Sequence, residues 1–293
     1  MKKVLLLFAV CITTSLSASA QEKETVVTGS ISLMVPADVQ VLDEFISDQL
    51  YTGETVFTGL NVRLGAFYRK HDNLSWDIYY THFGRAKWVD NLNQFKSLKN
   101  PANSQYLKFN SYTAGYGTYY HWQFGRKLMI KAGGMFDVYG ALKQAVPDGV
   151  NNALNIDGQI MLKAHGAVKY GWDFKKWGLD IYGRISLPVV GLIAADHPSE
   201  SSLSMILPRD YSVIYPDYRH LFLASYHNYM SLDYELGLDF VLKNATLTFG
   251  FGNSSKWWNI YDIQNIRDLG YLRFGVAFDI VPRGKFQSPN TNF

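Results

Sequence analysis

This chain of 293 residues is short of three things, and each shortage excludes a class of protein. Its single cysteine, Cys11, lies in a leader expected to be removed, so the remainder can form neither a disulfide nor a cysteine-ligated zinc site. Charged residues make up 18% of the chain, against roughly 25% in an ordinary soluble domain. They also nearly cancel. The formal charge of +3 falls to +1 once Lys2 and Lys3 depart with the leader, which leaves no basic field for nucleic acid. Long apolar runs are missing as well. After the leader nothing approaches the ~18 residues of a spanning helix, and the longest run, Leu187–Ala195, is interrupted by Pro188 and Gly191.

The leader itself has the three parts of a signal peptide. Lys2 and Lys3 supply the positive region, Val4–Ile12 the short apolar core, and Ala18-Ser19-Ala20 the small-residue cleavage site. Residues 1–20 are therefore set aside from the fold.

Aromatic residues are plentiful, at 15%, and they take part in a strict two-residue rhythm. Between Gly158 and Phe174, Ile160, Leu162, Val168, Tyr170 and Trp172 share one parity, while Gln159, Lys163, His165 and Lys169 share the other. A period of two predicts a β-strand with one apolar and one polar face. The same rhythm recurs in Val27–Val35, Leu60–Tyr68, Leu74–Tyr80, Ser111–Phe124, Leu128–Tyr139, Leu179–Leu187, Met230–Leu242, Thr246–Gly252 and Tyr271–Ile280. That makes about ten strands, with the membership of the first left open.

The connections alternate between short and long. Short polar turns are expected at 71–73, 125–127, 175–176 and 243–244, and long loops at 36–56, 84–105, 142–157, 191–225 and 253–268. Every short turn then falls at one end of the sheet and every long loop at the other. An even number of strands with this asymmetry predicts an all-β, membrane-spanning, antiparallel up-and-down barrel over residues 21–281, with a carboxyl-terminal tail at 282–293.

Period two does not say which face is outside, since a soluble barrel alternates with its apolar face inward. Three features favour the inverted arrangement. The charge total is low, and the polar parity carries Arg63, Lys131, Lys163, Arg184, Asp233, Glu235, Asp239 and Arg273 among many glycines. Tyr68, Trp76, Trp122, Trp172, Phe174 and Trp177 gather at the short-turn end like an interfacial girdle. Finally, the apolar segments have about the nine to eleven residues that a tilted strand needs to cross hydrocarbon. The apolar face is expected to look outward, and the eight charged residues into the lumen.

With these features the chain resembles the outer-membrane β-barrel proteins of Gram-negative bacteria. The likeness extends over nearly all of the chain after the leader. One local match, Arg273-x-Gly275-x-x-Phe278-x-Ile280, is similar to the signal by which a last strand engages the barrel-insertion machinery. The resemblance implies an outer-membrane location, membrane lipid and the insertion machinery as partners, and an unknown extracellular ligand or protein. Pro282 to Phe293 departs from the pattern by running on past the last strand.

Chemistry is sparsely written. No nucleotide loop, His-Glu-x-x-His motif or Gly-x-Ser-x-Gly elbow occurs, and neither a cofactor nor a metal is expected. Outer-membrane hydrolases of this barrel size use acidic, Asp-His or Ser-His groups at the outer end, which makes Asp137, His227 and Ser231 the catalytic candidates. Lys256-Trp257-Trp258 could offer an aromatic platform for surface contact, or Trp257 could belong to the outer girdle. In a barrel this narrow the inward charges are expected to pair into a plug. The reading is of a non-enzymatic barrel with a structural or surface-binding role through its outer loops. A membrane-embedded hydrolase is the first alternative and a narrow pore the second.

Overall fold

A computed structural model describes residues 26–43, 47–51, 55–57, 61–70, 74–89, 106–124, 127–146, 154–174, 176–194, 221–242, 245–260 and 263–280. The expected signal segment 1–20 and tail 282–293 lie outside the described residues. The described residues form thirteen strands: β1 (Val26–Asp43), β2 (Ser47–Tyr51), β3 (Thr55–Phe57), β4 (Val62–Lys70), β5 (Leu74–Val89), β6 (Tyr106–Phe124), β7 (Leu128–Val146), β8 (Leu154–Asp173), β9 (Gly178–Ala194), β10 (Leu221–Ala224), β11 (Tyr229–Val241), β12 (Ala245–Ile260) and β13 (Ile263–Asp279).

Ten of them, β1, β4 to β9 and β11 to β13, form a closed antiparallel barrel. Each pairs with its sequence neighbour, and β1 closes the ring by pairing with β4 on one side and β13 on the other. Ile31 faces Leu64 across one ladder and Val276 across the other, so the first strand belongs to the wall. The short strands β2, β3 and β10 add to β1, β5 and β9 at the long-loop end.

The apolar face looks out. In β8, Ile160, Leu162, Val168 and Tyr170 are exposed, whereas Gln159, Met161, Lys163, His165 and Lys169 are buried. The other strands repeat this, with Ile31, Phe136, Ile181, Leu236, Phe249 and Phe274 all on the outside. At the short-turn end the outward rings pack in pairs: Tyr68 with Trp76 and Tyr120 with Trp122 tilted, Tyr170 with Trp172 edge to face, and Phe174 with Trp177 stacked.

Several strands run well past this belt. On β12 the outward series Leu247, Phe249, Phe251 gives way to Asn253 and Ser255, yet the ladder with β13 continues unbroken to Ile260↔Ile263. Nine residues past Phe251 amount to about 30 Å of strand. Much of what the sequence marks as loop at 36–56, 142–157 and 253–268 is therefore strand, and 191–225 contains the end of β9 and all of β10.

In these extensions the polarity of the wall inverts. Many inward residues there are apolar and form two clusters, with a few buried charges such as Lys143, Asp157, Lys256 and Arg267 set among them. One joins Val39, Val41, Phe83, Phe109, Tyr139 and Leu269; the other joins Met161, Ile193, Ala224, Tyr229, Trp258 and Ile260. Two bulges adjust the parity on the way. Ala37 is the extra residue of β1, after which Val39 and Val41 point inward instead of the even-numbered Ser32 and Met34. Val189 is the extra residue of β9, so Val189 and Val190 both face out.

Candidate functional site

The barrel interior is layered. Nearest the short turns, Lys169 pairs with Asp180 at 3.0 Å, and Thr248 donates to Asp239 at 2.8 Å. Lys131 lies 3.8 Å from the centroid of the Tyr119 ring, whose hydroxyl donates to Asp77 at 2.8 Å. Ser75 and His121 share a buried hydrogen bond.

At mid-height Glu235 of β11 is the hub. It receives Arg184 of β9 at 2.6 Å, Arg273 of β13 at 2.9 Å, Tyr182 at 2.6 Å and Tyr271 at 3.0 Å. The two tyrosines fit because glycines stand beside them. A Cβ on Gly252 would come within 2.6 Å of the Tyr271 ring, and one on Gly237 within 2.5 Å of Tyr182. Beside this hub, Lys163 bridges Asp137 and Asp233, at 2.6 Å from each. Tyr79 donates to Asp137 as well, and Arg63 sits 4.5 Å over the Tyr79 ring. A charge taken this far from water is stable only with its partners in place, and removing one partner strands the other.

A cavity of about 90 Å³ lies among these groups, lined by Arg63, Lys163, Arg184, Asp233, Glu235, Lys256 and Arg267 among others. It has room for several ordered waters. Above it, Lys143 pairs with Asp157 at 2.6 Å and donates to Asn265 at 2.8 Å, under the Trp258 ring.

All eight charged residues assigned to the lumen from the sequence face the interior. Arg63 and Arg184 lean on rings or the hub, Lys131 on an aromatic ring, and the rest on hydrogen-bonded or ionic partners. The catalytic candidates are not brought together. Asp137 is held by Tyr79 and Lys163 inside the barrel. His227 is exposed on the turn between β10 and β11 and bonds Ser225, while Ser231 is buried in the interior. Trp258 is not a surface platform. β12 stays in register beyond Phe251, so even-numbered residues keep pointing inward and Trp258 is 2% exposed, packed by Tyr229. Trp257 faces outward and is half-buried.

Sequence reasoning missed Lys143, Asp157 and Arg267 as interior residues, because their segments read as loops. The parity of β7, β8 and β13, continued a few residues further, identifies all three. It also passed over Tyr182 and Tyr271 as the neutral donors that complete the Glu235 hub. Among the described residues, no three His, Cys, Asp or Glu side chains are grouped to hold a metal ion.

A sheet closed on itself, apolar where it would meet lipid and ion-paired within, is the fold of the outer-membrane β-barrels. The chain belongs to the family described as "Protein of unknown function (DUF3316)", whose model matches residues 3–268. No curated protein matches it. Among solved structures it is similar to Neisserial surface protein A, with 12% identity and a TM-score of 0.35 over 87% of this chain and 97% of that one. It is also similar to the outer-membrane protease OmpT of Escherichia coli, with 8% identity and a TM-score of 0.43 over 89% and 100%. A third is the COG4313 outer-membrane channel of Pseudomonas putida F1, with 8% identity and a TM-score of 0.38 over 90% and 98%. These likenesses are of fold alone.

Proposed function

We propose that this chain is a non-enzymatic barrel of the Gram-negative outer membrane, delivered by its signal peptide and closed to ion flow. In this reading its strand extensions form a folded platform on the cell surface. Membrane lipid surrounds the belt, the insertion machinery receives the last strand, and the surface partner meets the long-loop end. The observation that carries the reading is the filling of the interior at two heights. Glu235 gathers four donors from two strands at mid-barrel, and above it two apolar clusters pack between the strand extensions. A conducting pore needs a continuous wet path, which this packing opposes. A hydrolase needs a base within hydrogen-bond reach of its nucleophile, and Asp137, His227 and Ser231 each have other surroundings.

Two measurements test it. Refolded protein in planar bilayers with molar potassium chloride is expected to give no steady unitary currents; regular current steps would overturn the closed lumen. Single cysteines at Ser201 and Asn244, treated on intact cells with a thiol reagent that does not cross the outer membrane, test the orientation. Labelling at Ser201 with protection at Asn244 is the expected result, and the reverse would put the platform on the periplasmic side.

A further inference from the structure

The interior charges are not all in ion pairs, and two of the exceptions stand side by side. Lys256 of β12 stands directly across the ladder from Arg267 of β13, with both side chains pointing inward and each 3% exposed. Like charges directly opposite on adjacent strands repel, and burial magnifies the cost. Here they lie at the level of the two apolar clusters, away from bulk water. Among the described residues neither is paired with a carboxylate. The acids nearest along the cavity, Asp137 and Asp233, are both taken by Lys163.

What surrounds the pair is a set of donors. Lys256 and Arg267 lie at 3.5 and 5.0 Å from the centroid of one ring, that of Tyr139, so a single π-system serves two cations. Lys256 also donates to Gln159 Oε1 at 3.3 Å. Arg267 Nε and Nη1, Gln159 Nε2 and the Tyr139 hydroxyl are buried without a hydrogen-bond partner among the described residues. Buried donors are ordinarily satisfied. Water could satisfy the donors but would leave the two like charges unneutralised; a component that accepts several hydrogen bonds at once and carries negative charge would do both. An oxyanion is such a component, and the planar fork of an arginine is suited to grip one.

We infer that the Lys256–Arg267 pair, with Tyr139 and Gln159, binds an oxyanion: a phosphate, sulfate or carboxylate group. The cavity that both cations line is large enough for one small oxyanion. The site goes beyond the platform role, and its test does not depend on whether the barrel conducts.

The test uses the whole chain refolded in an uncharged, phosphate-free detergent. Its unfolding midpoint is followed while inorganic phosphate, sulfate or acetate is added at constant ionic strength against chloride. Phosphate and sulfate stabilise many proteins non-specifically by exclusion from the surface, so Lys256→Gln and Arg267→Gln are measured in parallel. The expected result is a saturable rise in the wild-type midpoint that is at least halved in both variants, with the three anions ranked by the charge and geometry the site accepts. Equal, unsaturated rises in wild type and variants would overturn the proposal. The variants carry a second, opposite signature. In chloride alone Lys256→Gln loses the like-charge contact and is expected to unfold at or above the wild-type midpoint. A Lys256→Gln protein clearly less stable than wild type in chloride would mean that the lysine is already satisfied, and would sink the idea as well.

Discussion

The extensions continue several of the ten strands that build the belt, yet belt and extensions are inside-out relative to each other. In the belt, Leu247, Phe249 and Phe251 of β12 face outward while Thr246, Thr248 and Gly250 face the interior. Past Phe251 the same strand sends Asn253 and Ser255 outward and buries Trp258 and Ile260. Backbone geometry and ladder are unchanged across the switch. Only the surrounding solvent differs. Hydrocarbon accepts apolar side chains and rejects charge, so the polar groups must satisfy one another within; water reverses the preference and favours the apolar clusters found inside the extensions. The position of the switch along each strand thus marks where the wall leaves the lipid.

Four substitutions would break or sharpen this contrast, read as unfolding midpoints in lipid vesicles. Glu235→Ala is expected to have the largest effect. It strands two buried guanidinium groups, at a cost of about 3–5 kcal/mol, and the purified protein should unfold at much lower urea. Arginine placed on the lipid face comes next. Phe249→Arg is expected to cost about 2–4 kcal/mol if that position lies in hydrocarbon. In the extension the vulnerable side is the inner one. Leu269→Ala should cost about 2–3 kcal/mol by leaving a cavity in the apolar cluster. The smallest change is the matched control. Ser255→Arg, on the same face and strand as Phe249→Arg, should cost only about 1 kcal/mol, the loss of its hydrogen bond to Asp268, because water rather than hydrocarbon lies beyond it. Comparable losses at 249 and 255 would erase the boundary between the two regions.

The contrast also explains what could be read from the sequence. All ten barrel strands were legible, because in the belt each alternates in the sense expected of a lipid-facing wall. The extensions were not, because their alternation has the opposite sign. A search for apolar residues facing out stops at Phe251 and takes Asn253–Asp268 for a loop. Bulges hid more. Pro36 looks like the end of β1, but the strand passes through it and shifts parity at Ala37. Within the belt, parity alone puts charges such as Glu235 and Arg184 on the inner face, whereas Lys143, Asp157 and Arg267 lie in the extensions and read as loop. That Glu235 also meets Arg273 and Tyr271 depends on closure and register, which no local pattern encodes. Only residue type and height point to Asp137, His227 and Ser231. The turn at 225–228 carries His227 to the exterior, away from the other two.

The most direct test of the account is a spin-label scan along β12, one cysteine at a time from Leu247 to Ile260 in a Cys11→Ser chain reconstituted in bilayers. Relaxation by oxygen reports lipid, and relaxation by a water-soluble nickel complex reports solvent. The account predicts oxygen-dominated relaxation at 247, 249 and 251, nickel-dominated relaxation at 253, 255 and 259, and little of either at 256, 258 and 260. Oxygen dominance continuing to 259, or appearing on the even-numbered residues, would contradict it.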